Sequence, residues 1–450
     1  MANETMVLLE KIVVPAAGAS SITFTNIPQS YTDLQITMSS RVDAANGVAQ
    51  LYFNGSTASD KRWLRVYGDG SSAVSGNSSG LSAYFRPIGM NRSDQTASVF
   101  GNMSIYIPNY TSSSTYKSMS ADGVNENNAT FAEAALNAGL WESNSAITSI
   151  TIIPSAGNFV QYSTFYLYGI AKEGVTPTNA PAATGGDSIL FDGTYWIHTF
   201  RSSGTFTPKK ALSCDYLVVA GGGSGANLFG GGGGGGMLTG TSSITANTAV
   251  TVTVGAGGAA APTGITAANG ANGSNSVFNS ITATGGGYGG AAAAGASGGS
   301  GGGGGAWAGV SYAGGTGTSG QGNNGSAGST GDGSGGGGGG AGAAGGTATT
   351  SVGGAGGNGS SSSISGSSVT YAGGGGGGAY TGNTTSATGG AGGTGGGGAG
   401  GQSSGSSGSG TGVSGTVNTG GGGGGGTRAA QTNITGGAGG SGIVIVRYAA

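Results

Sequence analysis

Apolar and polar side chains alternate in short runs along the first third of the chain. Leu34, Ile36 and Met38 fall on one side of a run, with Gln35 and Thr37 opposite. Met103, Ile105 and Ile107 alternate with Ser104 and Tyr106. Ile150 and Ile152 stand two apart, and Phe165 and Leu167 alternate with Tyr166 and Tyr168. A period of two puts one face of a strand in a core and the other in water, as in antiparallel sheets. Asn54-Gly55, Asp69-Gly70 and Asp122-Gly123 are turn signals between runs. Only Glu133–Leu140 has a helix-like pattern. The spacing predicts an antiparallel, jelly-roll-like β-sandwich of about eight to ten strands over residues 1–172, in an all-β chain.

Residues 173–186 (EGVTPTNAPAATGG) combine two prolines with small polar residues and no periodicity, which predicts a linker. Strand-like pieces resume at Ser188–Asp192, Tyr195–Phe200, Gly204–Thr207 and Asp215–Ala220, and the chain closes on Gly442–Tyr448. Between the last two the pattern changes regime. Gly221–Gly442 holds 90 of the 108 glycines, two formal charges (Asp332 and Arg428) and one proline, Pro262. The apolar, β-branched flanks predict that Tyr216–Ala220 pairs with Ile443–Tyr448. Residues 187–450 then form a glycine-rich domain clasped by strands within 187–220 and 442–448. Ala249–Val254 and Ser276–Thr284 also read as strands that extend the clasp.

Pure glycine runs occupy Gly230–Gly236, Gly301–Gly305, Gly335–Gly340, Gly373–Gly378 and Gly420–Gly426. Disorder is one reading of such composition. Collagen needs glycine at every third position with proline between, which these runs do not offer. The remaining reading is a bundle of extended polyglycine II helices. Without Cβ atoms such helices pack backbone to backbone, and their peptide groups must bond to neighbouring helices. Similar run lengths and the strand clasp favour this ordered reading. Each run would span about 20 Å at about 3.1 Å per residue, and the segments between runs would be loops at the two ends.

Charge and chemistry then narrow the function. Only 7% of the 450 residues are charged, against about 25% in an average globular protein, and the net charge is −2. This gives no electrostatic footprint for nucleic acid or anionic lipid. No apolar stretch approaches a membrane span, and the start lacks the pattern of a secretory signal. One His and one Cys cannot build a disulfide framework or a zinc cluster within one chain, and no cofactor is expected. His198 alternates with Trp196 and Phe200, and Cys214 precedes an apolar strand, so both read as packing residues rather than catalytic ones. The carboxylates are scattered, with no pair placed for glycoside hydrolysis. Asp122–Asn128 lacks the calcium-loop spacing and reads as a turn. The GxGxxG matches arise from composition alone. The expectation is a binding or structural protein, not an enzyme.

In the glycine-rich half a helix bundle has no side-chain core, so aromatic rings should sit at its rim or in its loops. Tyr288, Trp307, Tyr312, Tyr371 and Tyr380, with the lone charges Asp332 and Arg428, are the candidate receptor contacts. Rings among Ser, Gly and Asn are the chemistry of antibody paratopes. Phe229 and Phe278 are expected to be buried near the clasp.

Trp196–Thr207 (WIHTFRSSGTFT), Asp215–Gly225 (DYLVVAGGGSG) and Ala438–Tyr448 (AGGSGIVIVRY) resemble the glycine-rich carboxy-terminal domain of bacteriophage tail-fibre and adhesin proteins. The resemblance covers about residues 187–450. Leu51–Gly55, Ser104–Tyr110 and Phe165–Ile170 are similar to virion proteins of marine and cyanobacterial phages, less specifically. The resemblance implies a virion tail fibre whose glycine-rich loops touch a bacterial surface receptor, an outer-membrane protein or a glycan. Other tail or fibre proteins would be partners, and a homotrimer is one possible state. A capsid fibre or decoration protein is the alternative, followed by a depolymerase and a bacterial surface protein.

Overall fold

The computed structural model describes residues 6–14, 18–69, 71–87, 89–126, 132–172, 181–264, 266–330, 333–380, 387–403, 410–429 and 432–450. Every regular element in them is a strand, and no helix is long and apolar enough to cross a membrane. The chain forms two compact units. One holds residues 1–181, 187–196 and 450; the other holds 182–186 and 197–449.

The first unit contains β1 (Met6–Val13), β2 (Ile22–Phe24), β3 (Asp33–Ser40), β4 (Ala49–Phe53), β5 (Lys61–Gly68), β6 (Ala73–Asn77), β7 (Gly101–Ile107), β8 (Lys117–Val124), β9 (Ala134–Trp141), β10 (Ile150–Pro154) and β11 (Thr164–Ile170). Two strands follow: β12 (Ala183–Thr184), in the second unit, and β13 (Ser188–Phe191), in the first. A large sheet runs β13-β1-β11-β3-β7-β8-β9-β5-β6, and a small one β2-β10-β4. The alternating residues meet between them. Leu34, Ile36, Met38, Met103, Ile105, Ile107, Phe165 and Leu167 share one buried core with Ile22, Phe24, Leu51, Phe53, Ile150 and Ile152. The sandwich expected from the period of two is therefore present.

Two local expectations are corrected. Glu133–Leu140 is not helical: it lies almost wholly in β9, which pairs antiparallel with β5 on one side and β8 on the other. Ladder bonds on both flanks outweigh a weak local helix preference. Asp122-Gly123 is not a turn but part of β8, paired with β7 and β9. Asn54 and Gly55 do turn, with φ of 51° and 63°. Residues 127 and 128 of the Asp122–Asn128 segment lie outside the described residues, as do 173–180 of the segment read as a linker.

The second unit begins with β12 and continues with β14 (Tyr195–Phe200), whose first two residues belong to the first unit, β15 (Gly204–Pro208), β16 (Leu212–Val219), β17 (Met237–Ile244), β18 (Val250–Thr253), β19 (Ser276–Phe278) and β20 (Ile281–Ala283). Three hairpins follow: β21 (Ala306–Trp307) with β22 (Val310–Ser311), β23 (Ser360–Ser362) with β24 (Val369–Tyr371), and β25 (Arg428–Ala429) with β26 (Thr432–Asn433). The chain ends in β27 (Ile443–Ala449). The expected clasp is there: Asp215–Val219 of β16 pairs antiparallel with Ile443–Arg447 of β27. The strands read at 249–254 and 276–284 are present but do not extend the clasp ladder: they form a separate sheet, β12-β15-β18-β19-β20, with Phe278 packed near Tyr216 of β16.

The glycine runs are ordered polyglycine helices, and their hydrogen bonds turn with a period of three. Gly230, Gly233 and Gly236 donate to the carbonyls of Gly290, Gly287 and Thr284. Gly231 and Gly234 donate to Gly336 and Gly339, and Gly232 and Gly235 to Gly423 and Gly420. In return, Gly230, Gly233 and Gly236 accept from Ala226, Gly223 and Ala220. Gly231 and Gly234 accept from Gly303 and Ser300, and Gly232 from Gly375. One extended strand of glycine thus bonds to six surrounding segments, with N···O distances of 2.7–3.2 Å. Gly373–Gly378 is surrounded likewise, donating in rotation to Gly395 and Gly398, to Gly357 and Gly354, and to Gly232 and Phe229. Packing is close enough that a Cβ on Gly232 would overlap the carbonyl oxygen of Gly223, and one on Gly375 that of Gly423. The Cα hydrogens of such residues face carbonyl oxygens, which adds weak C–H···O contacts.

The segments between the runs are not only loops, and here the expectation is corrected. They include further polyglycine-type helices on the outside of the bundle. In 353–359 (GGAGGNG), Gly353, Gly356 and Gly359 donate to Thr388, Ala391 and Thr394, while Ala355 and Asn358 face water. An outer helix has neighbours on some flanks only, so it tolerates a side chain on its open one. Three glycines in three mark an enclosed helix, and two in three a flank. One in three, as at Gly412 and Gly415, marks an outer edge. Asparagines also substitute for missing neighbours. Asn269, Asn272 and Asn275, three apart, accept at Oδ1 from the amides of Ala291, Tyr288 and Gly285, each at 2.9 Å.

Substitution should follow this pattern. Gly232→Ala is expected to lower the stability of the second unit by about 3 kcal/mol or more, because backbone and not a yielding side chain must move. Ala355→Ser should stay within about 0.5 kcal/mol of the parent. Urea unfolding of both variants checks this; equal effects would contradict the packing.

Candidate functional site

The strands β16 and β27 stand at one end of the bundle, and the chain enters it at Gly221. The opposite end is built where several runs stop together. Phe229, in the turn before Gly230–Gly236, donates its amide to Gly426 at 3.0 Å and accepts from Gly378 at 2.6 Å. Gly303 donates to Gly231 at 2.7 Å and Ala306 packs in one apolar knot with Phe229, so the residues following Gly305, Gly378 and Gly426 emerge side by side. After Gly305 comes the β21–β22 hairpin, turning at Ala308 and Gly309 with φ of 49° and 78°. That left-handed pair is the type I′ geometry that glycine allows. After Gly426 comes the β25–β26 hairpin.

The two hairpins touch through their side chains. The guanidinium carbon of Arg428 lies 4.6 Å from the Trp307 ring centroid, a cation–π contact. Trp307 remains 37% exposed, and Val310 on the same hairpin 49%. Tyr312 follows directly and is half-buried, its amide bonded to the Gly305 carbonyl at 3.1 Å. Half-buried Tyr380 packs on an apolar knot of Ala226, Leu228, Phe229, Ala291 and Ala306. Its amide donates to Gly333 at 2.8 Å, and Thr427 Oγ1 donates to the Ala379 carbonyl at 2.7 Å. Four sequence candidates, Trp307, Tyr312, Tyr380 and Arg428, thus share one end of the bundle. Asp332 lies outside the described residues.

The other candidates lie elsewhere. Tyr371 is buried at the clasp end, on β24, next to Ala372, whose amide bonds to Thr419. Burial raises its phenol pKa. Tyr288 is half-buried on the flank of the bundle, where its amide meets Asn272. Phe278 packs near the clasp as expected, 6.1 Å from both the Phe206 and Tyr216 ring centroids. Phe229 does not: it is buried at the far end. Its place follows from the turn joining two antiparallel helices, which reverses the chain one helix length from the clasp. The Leu228–Phe229 knot was not read as part of a site. Its signal is an apolar pair interrupting two glycine stretches, which marks a reversal that must be sealed.

His198 and Cys214 are both fully buried. His198 Nδ1 pairs with the Gly185 carbonyl at 2.7 Å and Nε2 with the Tyr448 hydroxyl at 3.1 Å. A carbonyl only accepts, so Nδ1 carries the imidazole proton and Nε2 accepts from the Tyr448 hydroxyl, which itself accepts the Ala183 amide at 3.0 Å. The ring locks β12 and β14 to β27. Burial pushes the imidazole pKa down to about 4, against a smaller upward pull from the Gly185 carbonyl. Burial, helped by the charge of Asp215, pushes the Cys214 thiol up to about 12, so it is not a reactive thiolate. Among the described residues no group of three or more His, Cys, Asp or Glu could hold a metal ion.

Residues 201–449 match the family model described as a glycine-rich domain. The chain belongs to this family. The glycine-rich domain so delimited runs from the residue after β14 to the last residue of β27, and encloses clasp and bundle together. No curated protein and no solved structure matches the chain.

The far end of the glycine-rich domain offers an exposed indole, a guanidinium and an apolar valine on two short hairpins, with the half-buried phenols of Tyr312 and Tyr380 beside them. The described residues there carry no carboxylate, imidazole or thiol. The buried His198 gives the clasp a pH signature. The unfolded chain takes up this proton below about pH 6.5, the folded one only below about 4. Its contribution is intact above pH 6.5 and is lost as pH falls toward 4, by about 3 kcal/mol. Urea midpoints measured between pH 7 and 4 should show the decline, and His198→Gln should flatten it. An unchanged slope in the variant would contradict the assignment.

Proposed function

We propose that the chain is a virion fibre protein, a tail-fibre adhesin, that binds a receptor on the bacterial surface through the far end of its glycine-rich domain. The observation that carries this reading is the grouping of Trp307, Tyr312, Tyr380 and Arg428 on loops emerging from a hydrogen-bonded bundle. Aromatic rings and arginine are the side chains that dominate binding hot spots. Amide, hydroxyl and glycine surroundings supply adaptable polar contacts around rigid anchors. A stiff base leaves little conformational entropy to lose on binding.

The resemblance of the 196–207, 215–225 and 438–448 segments to phage tail-fibre and adhesin domains supports the same reading. The receptor is an outer-membrane protein or a glycan. Weak single contacts become firm adsorption when several copies act together through effective concentration. The low charge keeps adhesion insensitive to salt. The sandwich unit serves attachment to the particle or to other fibre proteins.

Purified full-length protein should bind host cells and block phage adsorption. Trp307→Ala and Tyr380→Ala should each weaken binding about tenfold or more. Val413→Ser, on an exposed flank of the bundle, should bind like the parent. Flow cytometry with labelled protein reads all three. Unchanged binding in the two aromatic variants would contradict the reading.

A further inference from the structure

Six asparagines of the chain precede a glycine: Asn46, Asn54, Asn269, Asn272, Asn324 and Asn358. Such a pair is chemically labile. The glycine nitrogen can attack the carboxamide carbon of the asparagine, because no Cβ on the glycine stands in the way. The attack needs two freedoms at once. The side chain must be able to fold back over its own backbone, and the glycine N–H must not be held in a hydrogen bond. The structure distributes these freedoms unequally.

In the glycine-rich domain both are withheld. The amides of Gly270, Gly273, Gly325 and Gly359 donate to the carbonyls of Gly289, Gly286, Gly315 and Thr394 at 2.8–3.1 Å. The preceding carboxamides are tied too. Oδ1 of Asn269, Asn272, Asn324 and Asn358 accepts from the amides of Ala291, Tyr288, Gly317 and Thr394 at 2.9–3.1 Å. In the sandwich unit Asn54 is fixed by its side chain. Its Nδ2 donates to the Ala146 carbonyl at 2.8 Å, and its Oδ1 accepts from the amides of Thr148 and Ser149 at 2.8 and 3.2 Å.

Asn46 differs. It is exposed, in the turn between Val42 and Ala49. Among the described residues neither its carboxamide nor the Gly47 amide makes a hydrogen bond. The turn is braced against residues 155–158. Ser155 Oγ donates to the Asn46 carbonyl at 3.3 Å, and the Asn158 amide donates to Asp43 Oδ1 at 2.7 Å. Gly47 is packed closely: a Cβ there would meet Val42 Cγ2 at 2.5 Å and the Ala156 carbonyl oxygen at 3.1 Å.

We propose that Asn46 is a site of spontaneous deamidation in the folded chain, and that hydrogen bonds protect the other five pairs. The Gly47 nitrogen bonds to Asn46 Cγ, the Cγ–Nδ2 bond breaks, and ammonia leaves with the Gly47 amide proton. Water, the only co-reactant, then opens the resulting succinimide at either carbonyl, to aspartate or isoaspartate. Either product adds a negative charge to the turn that already carries Asp43. Isoaspartate also lengthens the backbone by one atom, where Gly47 has no room to shift against Val42.

Peptide mapping by mass spectrometry tests this on full-length protein aged in mildly alkaline buffer, with a second sample aged in urea as the unprotected reference. In urea all six pairs should convert at comparable rates. In the native protein Asn46 should still convert, while the other five slow by about tenfold or more, since they react only through opening of their hydrogen bonds. Aged native protein should gain a more acidic species on ion exchange, and Asn46→Gln should abolish it. Asn46 intact in native protein while the urea sample converts would overturn the proposal. So would any of the other five converting as fast as Asn46 in the native protein.

Discussion

A peptide chain without side chains can be enclosed only if every amide and carbonyl finds a partner outside its own strand. Extended polyglycine makes no internal hydrogen bonds, and an unmet buried peptide group is costly. The second unit meets this constraint by surrounding each pure glycine run with neighbours and bonding to them in rotation, as Gly230–Gly236 does with six segments. Close approach and full pairing are one requirement, because a Cβ at Gly232 or Gly375 would occupy the place of a carbonyl oxygen. Here the hydrogen-bonded backbone takes the role that apolar side chains play in the sandwich unit.

The constraint also decides where chemistry can be. Side chains are excluded from the middle of the bundle, so they appear on open flanks, at the clasp and at the far end. The clasp uses apolar strands and the buried His198–Tyr448 pair to bring the two ends of the domain together. The far end needs only to reverse the chain and seal the last turns, which Leu228 and Phe229 do from within. Ala306 helps to build that knot, while Trp307 and Val310 on the same hairpin stay exposed. A frame of this kind holds the segments at its ends in fixed positions.

Much of this was legible in the sequence. The period of two in Leu34–Met38, Met103–Ile107 and Phe165–Leu167 gives the sandwich core directly. The β-branched flanks of the glycine segment give the β16–β27 pairing. Pure glycine runs give the enclosed helices, because only glycine fits there. The outer helices were missed because their period of three is interrupted by Ala, Asn, Thr and Ser. Yet GGAGGNG at 353–359 and the Asn269, Asn272 and Asn275 spacing carry the signal once the bundle is known. Glu133–Leu140 misled because its local pattern is weak and two flanking strands decide its state. Which aromatics gather was not legible. Tyr371 and Tyr380 flank the same run, but the direction of that run sends one to the clasp and the other to the far end.

Amide hydrogen exchange of the native protein, resolved by residue, tests the backbone-core account most directly. The amides of Gly231–Gly235 and Gly374–Gly377 should exchange only through global unfolding of the unit, as slowly as those of β16 and β27. Amides on the open flanks and in the 306–311 hairpin should exchange faster. Exchange of the glycine runs at the rate of an unstructured chain would contradict the account, since a core made of peptide hydrogen bonds cannot leave them open to water.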